Sequence, residues 1–288
     1  MNGKQGGVEK KGGRIWTHGL DNVFAGQTTA NLDLQKALER SDTIRVLPDV
    51  WVLKIGGQSI MDRGRSAVFP ILDQLAAARE KGVQFVLGVG GGTRARHAYA
   101  LGLDLGLPTG ALAKLGAAVP IQNARMLQML LARRGGIMVY HEDFEKLPLY
   151  LATGCIPIMS GMPPFEFWEK SPDVGRLPQN RTDAGLYLLA EFLGARGMVY
   201  IKDEQGLYTA DPKKDPQAQF IPETTAQELL DSGQDDLVVE RVVLDYMRRA
   251  RHVREIRVIN GLEPGTVSRA LDGDNVGSLI RAGATHKA

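Results

Sequence analysis

Val50-Trp51-Val52-Leu53-Lys54-Ile55-Gly56-Gly57 and, further along, Val83-Gln84-Phe85-Val86-Leu87-Gly88-Val89-Gly90-Gly91-Gly92 are two apolar runs that each end in a cluster of glycines. Both are short, rich in β-branched residues and closed by a turn signal, which reads as a buried strand running into a tight turn. A helical pattern follows each: Ser66 to Arg79 and Arg94 to Leu105 carry apolar residues at three- and four-residue spacing. Strand, glycine turn and helix in repetition are the signature of a mainly parallel sheet covered on both faces. The expected fold is therefore α/β, a three-layer αβα sandwich.

Outward from these two units the pattern continues. Ile137 to Val139, Ile156 to Met159, Met198 to Ile201, Ile256 to Ile259 and Val276 to Ile280 predict further strands, each bounded by Gly, Pro or charged residues. Helices are expected at Ile121 to Arg134, Thr182 to Leu193 and Leu237 to Val253, the last with Val243, Met247, Ala250 and Val253 on its inner face. Pro163, Pro164, Pro172 and Pro178 exclude a helix or central strand between them, so this stretch is expected to be a long surface loop. Residues 1–44 are expected to form an N-terminal arm, aperiodic up to about Asn31 and then a short helix at Leu32 to Leu38. The arm is either a disordered tail or an extended strap that Trp16 and Phe24 anchor on a neighbouring subunit. The folded domain is placed at residues 45–288.

Composition sets limits on function. With 43% apolar and 24% charged residues the chain has enough material for a large core. A net charge of +2 without any long basic run gives no nucleic-acid footprint. Cys155 is the sole cysteine, which excludes an intramolecular disulfide and a cysteine-rich metal site. No apolar stretch reads as a secretory signal or a membrane span, so a cytoplasmic protein without membrane partners is expected.

The first glycine turn puts Lys54 one residue ahead of two open stretches of backbone, Gly56 and Gly57. Amides at such a turn can surround phosphate oxygens, and the ammonium can meet charge that develops during phosphoryl transfer. The order is not that of a P-loop, where the lysine follows the glycines; without phosphate it is a tight turn beside an exposed lysine. The second turn repeats the design with Gly90, Gly91 and Gly92, followed by Thr93, Arg94, Ala95, Arg96 and His97. Three consecutive glycines lose backbone entropy on ordering, and the helix that starts after them presents its positive end to the loop. Of Arg94 and Arg96, one suits an oxyanion and the other a solvated or interface position. Because ligands of an open α/β sheet sit beyond the carboxyl ends of its strands, the two turns face one crevice and together suggest a polyphosphate site.

A third group comes late in the chain. Asp183, at a helix start, is either a cap or a carboxylate that orients Lys54 or Lys202, or holds Mg²⁺ through water. Lys202 to Pro212 is turn-rich and carries Asp203, Gly206, Tyr208 and Asp211; Tyr208 can stack on a base.

Taken in order, Lys54 to Gly57, Gly88 to Gly92, Thr182-Asp183, Gly206-Leu207-Tyr208-Thr209-Ala210-Asp211-Pro212 and a closing Gly277-Ser278-Leu279-Ile280 resemble the amino acid kinase superfamily, which includes uridylate kinases, aspartokinases and acetylglutamate kinases. Ser278 stands where the superfamily's last strand has threonine. The resemblance implies that ATP lies over the Lys202 to Pro212 loop with its phosphates toward Lys54 and the glycines. It makes Lys54, Asp183 and Lys202 the catalytic candidates. Gly56, Gly57, Gly90, Gly91, Gly92, Arg94, Asp203, Gly206, Tyr208 and Asp211 become the nucleotide-binding candidates.

A more specific resemblance, covering Val46 to Ile280, is to the molybdenum storage family. Its signposts include Gln58-Ser59, Asp62-Arg63-Gly64, Thr93 to His97, Ser160 to Pro164, Arg181 to Gly185, Lys202-Asp203-Glu204 and Ala250 to Glu255. The resemblance implies a homo- or hetero-hexameric cage whose arms bridge subunits. It also implies Mg-ATP hydrolysis coupled to the loading of molybdate or tungstate as oxide clusters. The chain departs from the family's α-type subunit, which has a histidine run where Phe165-Glu166-Phe167-Trp168 follows the Pro-Pro pair here. Leu103 to Pro108 and His141 look α-like, and His141 becomes the metal-ligand candidate, set against the plainer reading of a surface histidine. His97 and His252 read as hydrogen-bonding residues of basic segments, and Met126, Met129 and Met138 as core. Two other functions stay open. One is a kinase of uridylate-kinase type, with Gly90 to Arg96 cradling the acceptor phosphate; the other is a cage subunit that binds nucleotide without turnover.

Overall fold

A central strand with a neighbour on either side sets the architecture. In a computed structural model, which describes residues 9–11, 14–16, 30–38, 43–234 and 236–283, the strands of the main sheet are β1 (Trp51–Ile55), β2 (Phe85–Val89), β3 (Gly136–Met138), β4 (Ile156–Ser160), β5 (Gly197–Lys202), β6 (Glu223–Thr225), β7 (Glu255–Asn260) and β8 (Ser278–Arg281). Their order is β6-β8-β7-β5-β1-β2-β4-β3. Within this sheet every ladder is parallel except that between β7 and β8. The chain leaves β1 toward β2 on one side and returns to β5 on the other, so the direction of winding reverses at β1. Lys54 lies level with Gly88 and Tyr200, which brings the ends of three strands to one edge.

The helices are α1 (Arg65–Glu80), α2 (Thr93–Asp104), α3 (Thr109–Leu131), α4 (Leu147–Ala152), α5 (Thr182–Leu193), α6 (Ala226–Asp231), α7 (Arg241–Arg248) and α8 (Thr266–Asp272). Alternation along the strands divides the core in two. Leu53, Ile55, Leu87, Val199 and Ile201 pack with Ile71 and Leu75 of α1, Leu127 of α3 and Val267 of α8. Val52, Val86, Met198 and Tyr200 pack with Leu186 and Leu189 of α5 and with Val243 and Leu244 of α7. This is the three-layer α/β sandwich. Lys54 shares the parity of Val52 and so faces α5, the helix that carries Asp183.

Several boundaries differ from expectation. α3 begins at Thr109 rather than Ile121 and runs through Pro120. The helix expected over Leu237 to Val253 is confined to Arg241–Arg248, because Glu240 is extended and serves as its N-terminal boundary. Gly277 adopts φ 68, so the last strand starts at Ser278 rather than Val276. Pro163 to Pro178 is irregular apart from a short turn at Glu166–Trp168. β6, α4, α6, α8 and a small hairpin pairing Leu207–Tyr208 with Phe220–Ile221 were not expected.

The chain divides into two units, Met1–Ile44 and Arg45–Ala288. Within the first, Glu9–Lys11 pairs antiparallel with Arg14–Trp16, where no strand was expected, and Leu32–Leu38 is the expected helix. Phe24 and the Trp16 side chain lie outside what is described. Among the described residues no helix is long and apolar enough to cross a membrane.

Candidate functional site

The carboxyl edge of the sheet opens into a cleft of about 1310 Å³. Lys54, Gly56, Gly57, Gly90, Gly91, Gly92, Asp183, Lys202, Asp203, Gly206, Tyr208 and Asp211 all line it. The two glycine turns touch: a Cβ on Gly57 would lie 2.2 Å from the Gly92 nitrogen and 2.8 Å from the Gly90 carbonyl carbon. Close approach of two backbones is what the glycines permit here.

Asp183 is the centre of charge. Its Oδ1 accepts a short hydrogen bond from Lys54 Nζ and lies 3.5 Å from Lys202 Nζ. Lys54 and Asp183 are each only 4% exposed. Burial is the largest influence on the Asp183 carboxyl and pushes its pKa up, but Lys202 and Lys54 together outweigh it and hold it at about 2. Burial pulls Lys202 down to about 8, with Lys54 adding to the effect and Asp183 opposing it. Two ammonium groups therefore share one carboxylate, an arrangement short of negative charge and suited to phosphate oxygens.

The start of α5 is capped from elsewhere in the chain. Glu240 Oε2 accepts from the amides of Arg181 at 3.1 Å and Ala184 at 3.0 Å, and Oε1 accepts from the Asp183 amide at 3.3 Å. In return the Glu240 amide donates to Asp183 Oδ2 at 3.2 Å. Asp183 is thus held by the cap rather than being the cap. Burial and the neighbouring Asp183 charge raise the pKa of Glu240. Sequence reasoning missed Glu240, since its partners lie far away in the chain and no local spacing marks it.

The second turn is fixed by Asn123 of α3. This fully buried side chain donates from Nδ2 to the carbonyls of Gly90 at 2.6 Å and Gly91 at 3.3 Å. A trans peptide directs its N–H opposite to its carbonyl, so the Gly91 and Gly92 amides point away from α3. Arg94 does not line the cleft; its guanidinium donates to Asn123 Oδ1 and, at 3.2 Å, to Gln122 Oε1. Arg96, half a helical turn away, does line it. Between the turns, the Thr93 amide that opens α2 donates to Asp62 Oδ2 at 2.6 Å.

At the other end, Asp203 Oδ2 pairs with Arg63 at 2.6 Å and Lys213 at 2.8 Å. These two donors overcome the effect of burial and lower its pKa. Lys214 bridges Asp211 at 3.1 Å and Asp236 at 3.0 Å. Gly206 packs on Ser278, whose Oγ accepts from the Leu207 amide at 2.7 Å. Tyr208 meets Phe220 edge to face at 5.7 Å. His141 lies outside the cleft, its Nε2 3.1 Å from Glu142 Oε1, and among the described residues no group of three His, Cys, Asp or Glu could hold a metal.

Comparison with known proteins follows the same outline. The sequence profile of the Amino acid kinase family matches residues 49–260. The molybdenum storage protein subunit beta of Azotobacter vinelandii is 45% identical over 263 residues, spanning 91% of this chain and 97% of its own. The uridylate kinase of Methanothermobacter thermautotrophicus is 31% identical, spanning 80% of this chain and 97% of its own. The crystal structure of uridylate kinase from Archaeoglobus fulgidus shares the fold, with a TM-score of 0.61 at 24% identity over 80% of this chain and 99% of that one. A family match across most of the folded domain, on a sheet whose carboxyl edge gathers both glycine turns and Asp183, leads to one conclusion: the chain belongs to the amino acid kinase family.

Proposed function

We propose that this chain is an ATP-driven storage subunit for oxometalate, taking molybdate or tungstate into an oligomeric cage, with six subunits and residues 1–44 as the strap between neighbours. The observation that carries the reading is the convergence of Lys54 and Lys202 on the buried Asp183, beneath two interlocked glycine turns, in a chain similar over nearly its whole length to a molybdenum storage subunit.

Each residue has a part in ATP cleavage. Lys54 and Lys202 draw charge off the transferring phosphate, and Asp183 keeps both ammoniums aimed at one point. The amides of Gly57, Gly91 and Gly92 surround phosphate oxygens. Tyr208 and the loop from Asp203 through Gly206 to Asp211 hold the nucleoside. Asp183 Oδ1 is engaged by the lysines and Oδ2 by the Glu240 amide, so the donor set suits Mg²⁺ that enters on the nucleotide rather than a resident ion. Mg²⁺ carried in this way would supply positive charge to the phosphates. His141, with its side chain 47% exposed, offers an imidazole to cargo outside the cleft. The sole cysteine accords with a cytoplasmic setting.

The test is to incubate the purified protein with ATP, Mg²⁺ and molybdate, pass it through gel filtration and measure molybdenum and ADP. Molybdenum eluting with a hexamer-sized species, with ADP formed, is the expected outcome; protein free of molybdenum defeats the reading. ATP retained without ADP would select a nucleotide-binding subunit that does not turn over. One further observation favours a second reading, a kinase of uridylate-kinase type: Tyr99, Leu103, Met162 and Leu177 also line the cleft, apolar surface of the kind an organic acceptor would meet. Transfer of labelled γ-phosphate to uridine monophosphate would establish it.

A further inference from the structure

The second glycine turn and the start of α2 together make an anion seat in the half of the cleft away from Tyr208. A seat of this kind would ordinarily serve the phosphate of a second substrate, through backbone amides and the positive end of a twelve-residue helix. Here the chain has put its own carboxylate there. The Thr93 amide, first of the helix, donates to Asp62 Oδ2 at 2.6 Å. Gly92 turns to φ 74, and a Cβ on it would lie 2.6 Å from both Asp62 carboxylate oxygens, so the carboxylate lies directly against the turn.

Asp62 is exposed, but its backbone is held in place. It sits in the tight turn Met61–Arg63, whose amides are tied to the first glycine turn: Met61 donates to the Gly56 carbonyl at 3.1 Å and Asp62 to the Gly57 carbonyl at 3.0 Å. The carboxylate is therefore carried by one glycine turn and docked on the other. Three of the nearby cations are engaged elsewhere, Arg94 with Gln122 and Asn123, Arg63 with Asp203, and Arg181 with Glu240 at 3.5 Å, which leaves Arg96 as the guanidinium of this helix start on the cleft. A dianionic phosphate arriving here meets a fixed negative charge and an amide already bonded.

We infer that Asp62 is a specificity-determining plug: it fills the acceptor-phosphate seat, excludes phosphorylated second substrates and leaves water as the acceptor of the γ-phosphoryl group. This rests on the proposed turnover of ATP in this cleft and adds the acceptor to it. The reaction is ATP⁴⁻ + H₂O → ADP³⁻ + HPO₄²⁻ + H⁺. The water oxygen bonds to the γ-phosphorus, the bond to the β–γ bridging oxygen breaks with its electron pair leaving on ADP, and the released proton goes to solvent.

Full-length protein and the variants Asp62→Asn and Asp62→Gly test the inference, with uridine monophosphate and inorganic phosphate as probes in calorimetric titrations. Asn caps a helix about as well as Asp, so Asp62→Asn removes charge while keeping the turn; Asp62→Gly also empties the seat. At least tenfold tighter binding of either probe to Asp62→Gly than to the unaltered protein is expected, with Asp62→Asn between them. Equal probe affinity in all three overturns the plug, and ATP affinity measured alongside shows that each variant is folded. If Asp62→Gly loses ATP binding, Asp62→Asn decides alone. With γ-labelled ATP and uridine monophosphate, the unaltered protein should release label as inorganic phosphate. Label on uridine monophosphate overturns the plug as well, whereas no ATP cleavage at all strikes at the underlying reading and leaves the binding comparison to judge Asp62.

Discussion

The two ends of the cleft hold ion pairs of very different worth. Around Asp183 the charges are buried, share one carboxylate and sit on the ends of β1, β5 and α5. Around Asp203 and Asp211 they lie on a loop, with the lysine side chains of Lys213 and Lys214 54% and 72% exposed. Water screens the second set and barely reaches the first, so breaking a pair costs several kcal/mol at one end and nearly nothing at the other. Chemistry belongs where charge is expensive to hold, and adaptable nucleoside binding where it is cheap.

The sharpest way to break this contrast is Asp183→Asn. Removing the carboxylate leaves Lys54 and Lys202 facing each other in a buried site, which should cost about 3–5 kcal/mol of folding stability, read from urea unfolding. ATP hydrolysis should vanish in the same protein. An unfolding midpoint that does not move would mean that the lysines never depended on Asp183. Lys54→Met comes next: loss of one donor to the transferring phosphate should lower turnover by roughly 10²–10³-fold, with ATP affinity changing much less. A variant that loses affinity and keeps turnover would make Lys54 a binding residue only.

Asn123→Leu probes the support of the second turn rather than its charge. Leaving the Gly90 and Gly91 carbonyls unpaired inside the protein should cost about 1–3 kcal/mol in a melt. Arg94→Ala should weaken ATP binding through the same side chain, since Arg94 reaches the turn only by way of Asn123.

The pH dependence separates catalysis from stability by sign. With Lys202 at about 8, kcat/KM, which reports the free protein, should fall about tenfold per unit above that pH as the ammonium is lost. In bound ATP the phosphates hold the proton on, so kcat should decline only at higher pH. Stability runs the other way. A lysine depressed in the folded state is a penalty below its folded pKa, and between about 8 and its ordinary value of 10.5 the unfolded chain binds more protons, so this contribution to stability rises with pH. Falling kcat/KM with falling stability over that window would remove Lys202 from the site.

How far the sequence reveals these two ends follows from the range of the interactions involved. The strands of the main sheet other than β6, both glycine turns and α5 were legible because each is a local pattern: apolar runs, bare backbone, helical spacing. The first turns of α3 were not, although the helix runs through Pro120 and buries Leu112, Ala117 and Ala124. Arg94 and Arg96 are indistinguishable by type, and helical rotation alone sends one to Asn123 and the other to the cleft. Glu240 left no trace, since it caps a helix whose first residues come 57 positions earlier. Asp62 belongs to a recognisable motif, yet its role depends on Gly92, which only the folded turns bring against it.

The weakest end of the cleft gives the smallest expected effect, and it is the control on all the others. Lys213→Ala with Lys214→Ala removes the contacts to Asp203, Glu204, Asp211 and Asp236, four acidic partners in all. Exposed pairs of this kind are screened by water and contribute little, so stability should barely change, and added salt should erase the difference. Turnover at saturating ATP should be unaffected, because neither ammonium lies near Asp183, while KM for ATP rises a few-fold as the loop loses its ties. A large fall in turnover would show that the loop closes over the phosphates during the reaction, and the two ends of the cleft would then have to be treated as one device.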